Sequence, residues 1–158
     1  MAKVTTRQAT IDEGAPVVGS SEIEIAAALE VAWDVLTAIG RWPNWNPTVT
    51  SVSFDGEIAP GSAFRWKAGP GTITSTIQVV EPLRRIAWTG SSFGVKAIHV
   101  HTFEPRDGGA RSLVTSEESY DGVVARLLRG RLQKVLDSAL ESGLQHLKAE
   151  AERREQTE

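Results

Sequence analysis

Past Pro16 the chain sets apolar against polar residues with a period of two. In VVGSSEIEIAA, Ile23 and Ile25 alternate with Glu22 and Glu24, the pattern of a half-buried strand. From Ala27 the period lengthens. Ala28, Leu29, Ala32, Val35, Leu36 and Ile39 recur at three and four, with Trp33 widening the stripe, which predicts an amphipathic helix of about three turns. Gly40 and the run Arg41-Trp42-Pro43-Asn44-Trp45-Asn46-Pro47 end it. Each proline fixes φ and removes a backbone donor, so no regular helix passes through. The tryptophans of this run need a home, either as a plug in the core or at the mouth of a cavity. Trp42, restricted by Pro43, is expected to be the plug, and Trp45 is open between the two.

Strands and turns follow from Val49 to Tyr120. Thr48 to Phe54 stops at Asp55-Gly56, and Gly61 to Lys67 stops at Ala68-Gly69-Pro70-Gly71. Thr72 to Val80 stops at Glu81-Pro82, Arg85 to Thr89 at Gly90, Val95 to Glu104 at Pro105-Arg106-Asp107-Gly108-Gly109, and Arg111 to Tyr120 at Asp121-Gly122. Evenly spaced short strands with tight turns predict an antiparallel meander. A final helical pattern from Val123 to Arg153 places Val124, Leu128, Leu132, Val135, Leu136, Ala139, Leu140, Leu144 and Leu147 on one face. It would be about 45 Å long. Gly143 and Ala139 are expected where this helix approaches the sheet, and Gly130 marks a break near its start.

The 158 residues suit one domain with a real core: residues 17–149, between an extension (1–16) and a charged tail (150–158) expected to fray. A net charge of −3 and the lack of a basic stripe argue against a nucleic-acid partner. With no cysteine there is no disulfide, thiolate metal site or cysteine nucleophile. No apolar stretch is long enough for a secretory signal or a membrane span, so a cytoplasmic location without stable membrane insertion is expected.

One sheet with one long covering helix leaves space between them, since a single helix cannot fill a wide concave surface. The segment EIEIAAALEVAWDVLTAIGRWPNWNP resembles the opening of the START-like superfamily, also called the SRPBCC or Bet v 1-like helix-grip fold, in its polyketide cyclase/dehydrase-like branch. The likeness continues through RRIAWTG, HTFEP with DGGAR, and TSEESYDG, covering about Val17 to Lys148. It implies an α+β helix-grip fold: a curved antiparallel sheet of about seven strands around a long C-terminal helix, with two short helices between the first strands. Members of the superfamily bind sterols, lipids, quinones, hormones or polyketides, and only some are enzymes.

Strand parity then selects the inward side chains. Phe64 and Trp66 oppose Arg65 and Lys67, and Ile86 shares a face with Trp88. On the strand before the last helix a glutamate faces inward in either register, and the one that brings Tyr120 inside also brings Val114, Ser116 and Glu118. A buried carboxylate needs a partner or a raised pKa. Parity leaves Val95–Glu104 ambiguous; the HTFEP resemblance turns His99, His101 and Phe103 inward, beside Glu118. These groups could orient a ligand's carbonyl or hydroxyl, act as acid and base, or supply metal ligands; ordinary hydrogen-bonded histidines are expected, with no metal. The expected cavity lining is Trp33, Phe64, Trp66, Ile77, Trp88, His99, His101, Phe103, Glu118, Tyr120, Leu132 and Leu136. Arg126, Arg129 and Arg131 could meet an anionic headgroup or form a solvated face.

The reading is a monomer or weak homodimer that binds or carries a small hydrophobic molecule without a cofactor. The alternatives are a cyclase- or dehydratase-like enzyme without nucleotide or flavin, using His99, His101 and Glu118, and a co-chaperone-like interaction module. No nucleophile elbow, phosphate loop or dinucleotide fingerprint is present.

Overall fold

A computed structural model describes residues 10–157, so most of the expected N-terminal extension (1–9) and the final residue lie outside the described residues. One antiparallel sheet runs in the order β1-β7-β6-β5-β4-β3-β2. Its strands are β1 (Val17–Ile25), β2 (Val49–Ser53), β3 (Ala63–Ala68), β4 (Thr72–Glu81), β5 (Arg85–Ser92), β6 (Val95–Arg106) and β7 (Arg111–Asp121). Helix α1 (Leu29–Thr37) and a 3-10 helix (Ile39–Asn44) connect β1 to β2, and α2 (Val123–Leu127) and α3 (Arg129–Thr157) end the chain. This is the helix-grip fold. Bulges between Val49 and Ser51 and between Ile77 and Val79 help the sheet curl around its helix. No helix is long and apolar enough to cross a membrane.

Several local expectations change. Gly90 does not stop β5, which continues to Ser92. A Cβ at Gly90 would lie 3.2 Å from Ser75 Oγ, so this glycine serves close packing between β4 and β5. The turn is instead Phe93-Gly94, both at positive φ (48° and 75°), as a tight two-residue hairpin requires. The last helical pattern breaks at Leu128, ahead of Gly130. Residues 150–157, expected to fray, remain helical. Ala151 is fully buried and Glu152 Oε1 accepts the Ala26 N–H at 2.9 Å, which ties this turn to the end of β1.

Helix α3 lies over the β1 and β7 edge. Leu136 and Leu140 pack with Val17, while Leu144, Leu147 and Ala151 join Ile25, Trp33 and Phe103 in the main core. The close approach lies on the sheet side, at Gly19, where a Cβ would meet Leu140 Cδ1 at 3.0 Å and Leu136 Cγ at 3.1 Å. Gly143 was expected there, but a Cβ on it would meet nothing within 4 Å. The far end of the concave face is closed by Trp42, 4% exposed, whose ring packs on Phe64, Trp66 and Trp88 at centroid distances of 5.4–5.6 Å. Its Nε1 donates to Leu36 O at 2.9 Å, leaving no polar atom orphaned by the burial.

Replacing Gly19 by valine is expected to lower the unfolding free energy by about 1–3 kcal/mol through overpacking against Leu136 and Leu140. Urea denaturation at neutral pH measures it, and an unchanged midpoint would show that α3 is not pinned at this point.

Candidate functional site

Between α3 and the concave face lies a cavity of about 410 Å³. Leu36, Trp42, Trp66, Trp88, Leu144 and Leu147 make its apolar base, and Trp45 borders it. The exposed residues among its lining, including Thr48, Pro70, Phe93, Val135 and Ala139, ring the mouth.

One wall is polar. Strands β6 and β7 pair His99 with Glu118 and His101 with Ser116, so these four side chains share one face. Ser116 Oγ lies 2.7 Å from His99 Nε2 and 3.2 Å from His101 Nε2. A hydroxyl has a single proton, so it can donate to only one of the rings. His101 Nδ1 is buried without a partner among the described residues. An orphaned lone pair there costs less than an orphaned N–H, which assigns the tautomers from the network. His101 Nε2–H donates to Ser116, and Ser116 donates to His99 Nε2. The His99 proton then sits on Nδ1, 3.5 Å from Glu118 Oε2.

Burial sets the charges. It lowers His99 to about 3 and holds His101 well below the usual imidazole range, where a charge on His99 would add repulsion. The ring centroids are only 4.2 Å apart. Glu118 is pushed up to about 8 by burial, and Tyr120 is raised by burial and then by the charge on Glu118. Near neutral pH the wall is therefore uncharged: two neutral imidazoles, a hydroxyl, a carboxylic acid and a phenol. Both histidines turn Nε2 onto the same hydroxyl, and no group of three His, Cys, Asp or Glu among the described residues could hold a metal ion.

Of the residues expected to line the cavity, Trp66, Trp88, His99, His101, Glu118, Tyr120 and Leu132 do so. Trp33, Phe64, Ile77, Phe103 and Leu136 are packed core instead. Trp33, projecting from α1, meets Phe103 edge-on at 5.2 Å, Phe64 packs beneath Trp42, Ile77 lies on β4 beside the strand of Phe64, and Leu136 is spent on Gly19. Trp42 proves to be both plug and cavity base. Sequence reading missed Ser116 as a site residue, although it shares the inward register of Glu118, and missed Leu36, Leu144 and Leu147, whose helical faces read simply as core.

A helix-grip domain with an open, mostly apolar cavity is thus the class that the geometry defines. The chain belongs to the polyketide cyclase/dehydrase and lipid transport family, which it matches over residues 16–152. No curated protein sequence matches it. Its fold is shared by a hypothetical protein of Helicobacter pylori, 16% identical with a TM-score of 0.80, covering 96% of this chain and 97% of that one. The Zhui aromatase/cyclase of Streptomyces sp. R1128 is 20% identical with a TM-score of 0.71, covering 87% and 94%. A START superfamily protein of Mycobacterium smegmatis is 16% identical with a TM-score of 0.62, covering 89% and 97%.

These pKa shifts fix how stability depends on pH. Each histidine, lowered on folding, stabilises the fold above 6.5, and this contribution is lost as pH falls, for His99 down to about 3. Glu118, raised on folding, contributes fully below 4.5 and loses that contribution as pH rises to about 8. Above 6.5 the histidine contribution fades and the glutamate slope takes over, so stability falls as pH rises toward 8. Stability is expected to peak near pH 6.5, and Glu118→Gln to flatten the alkaline limb; denaturant unfolding across pH checks both.

Proposed function

We propose that this protein binds or carries, in the cytoplasm, a small and largely apolar molecule of the lipid, polyketide or aromatic/isoprenoid kind, with one polar end against the His99–Glu118 wall. The observation that carries this reading is the open cavity of about 410 Å³, mostly apolar, with an uncharged polar wall along β6 and β7. A charged ligand would meet no opposite charge on that wall near neutral pH. A neutral carbonyl or hydroxyl oxygen would meet donors: the protonated Glu118 carboxyl and the Tyr120 hydroxyl. Trp45 Nε1, buried at the cavity edge without a partner among the described residues, is a further donor.

One observation favours a second reading, cyclase- or dehydratase-like catalysis. A carboxylic acid kept neutral to about pH 8 beside an imidazole can polarise a carbonyl or protonate a departing hydroxyl. Turnover of a polyketide mimic that vanishes in Glu118→Gln while binding persists would establish catalysis; binding with no turnover would leave the carrier.

Native mass spectrometry of freshly purified protein is expected to show a co-purifying small molecule, neutral and apolar. A sharper test uses Gly143, which lines the cavity and has room for a side chain. Gly143→Leu should keep or raise thermal stability, because glycine costs a helix about 1 kcal/mol against better helix formers. It should also weaken Nile red binding by roughly tenfold or more, since the added leucine occupies the ligand's space. Undiminished dye binding in a folded variant would place the ligand elsewhere.

A further inference from the structure

Among the described residues the exposed large hydrophobic side chains are Phe93, Val123, Leu127, Leu128 and Val135. Phe93 and Val135 line the cavity, and Val123, Leu127 and Leu128 flank its lining residues Val124 and Leu132 in the chain. Phe93 occupies the β5–β6 turn, Val123 and Leu127 the short α2, Leu128 the break, and Val135 the second turn of α3. The two segments touch: a Cβ at Gly94 would lie 3.0 Å from Val124 Cγ2, and one at Gly122 would lie 2.5 Å from Gly94 O. Phe93 is 74% and Leu127 78% exposed. Phe93 also holds φ at 48°, in a turn position that favours glycine or asparagine over a bulky aromatic. Its ring rests on one side over Gly71, where a Cβ would collide with it, and leaves the rest open to solvent.

The charge here is one-sided. From Gly122 to Leu136 the chain reads GVVARLLRGRLQKVL, with Arg126, Arg129, Arg131 and Lys134 and no acid, in a protein whose net charge is −3. All four cations are exposed, and none pairs with a carboxylate among the described residues.

We propose that this end docks on an anionic lipid bilayer. Phe93, Val123 and Leu127 enter the headgroup–acyl boundary, the four cations meet lipid phosphates, and the cavity mouth faces the membrane. A bilayer accommodates projecting apolar tips and unpaired cations together. A second copy of this chain would set four cations against four, and the core of a protein interface is depleted of charge. The surface stands on observations separate from the cavity's occupant.

Co-sedimentation with vesicles tests it, using phosphatidylcholine alone and phosphatidylcholine with phosphatidylglycerol. The protein is expected to sediment with the anionic vesicles at low salt, to be released by high salt, and to ignore phosphatidylcholine alone. Removing Arg126, Arg129 and Arg131 together as glutamines should weaken partitioning by about a hundredfold, roughly fivefold for each cation near an anionic surface. Phe93→Ser with Leu127→Ser should weaken it by roughly tenfold or more with only a small change in thermal stability, since both side chains are mostly exposed and Phe93 rests only on Gly71. Failure to bind anionic vesicles, or variants that bind as well as the parent, would overturn the proposal. So would self-association through this face, seen by sedimentation velocity in a protein that ignores vesicles. Gly143→Leu should bind vesicles like the parent, so that loss of the cavity reading and loss of the docking surface remain distinguishable.

Discussion

The contact of α3 with β1 at Gly19 governs the rest of this architecture. A nearly straight helix can follow a curled sheet only along one line, and the missing side chain at Gly19 lets that line run at the β1–β7 edge. Leu136 and Leu140 are used up there, and Leu144, Leu147 and Ala151 continue the seam toward α1. The concave face of the middle strands is then out of the helix's reach. Trp42 fills one end of that gap with an aromatic cluster, and the remainder stays open as the cavity. The space therefore results from geometry combined with a limited supply of large side chains. It needs no lid or second domain.

The polar wall obeys a different constraint. Two imidazoles with centroids 4.2 Å apart in a dry site cannot both carry charge, and burial keeps each neutral. Ser116 lets the rings coexist by accepting from one and donating to the other. The proton order this imposes points toward Glu118, whose carboxyl the same burial holds protonated. Donors along this wall thus reach the cavity without any net charge near neutral pH, which suits an apolar molecule with one oxygen. The arrangement depends on registry: a one-residue slip between β6 and β7 would turn His99 and His101 away from Ser116 and Glu118.

The element order, the antiparallel meander and the inward face of β3 were legible because they rest on local periodicity and turn residues; β7 was turned by its aromatic, Tyr120, and β6, ambiguous by parity, by the family resemblance alone. Parity distinguishes inside from outside and goes no further. It could not tell that Phe64 and Phe103 would be covered by Trp42 of the 3-10 helix and Trp33 of α1 while Trp66 and Trp88 border open space, because that depends on where another element lands. Gly19 read as one residue of a strand, yet it makes the close approach to α3. Residues 150–157 read as fraying because they are charged; their order comes from a buried Ala151, from Glu150 paired with Arg153 and Arg154, and from Glu152 capping Ala26. The role of Ser116 needs two strands at once, so no single-strand pattern could show it.

A chain selected for stability alone would not leave this cavity open. Gly143 costs helix stability at the wall of an empty space, and Trp45 Nε1 and His101 Nδ1 are buried without partners among the described residues. Each departure from good packing or hydrogen bonding carries its own cost, and all three residues line the same cavity. Their convergence on one space, beside a carboxylic acid that burial keeps protonated, fits a fold whose missing contacts are completed by something that enters the cavity.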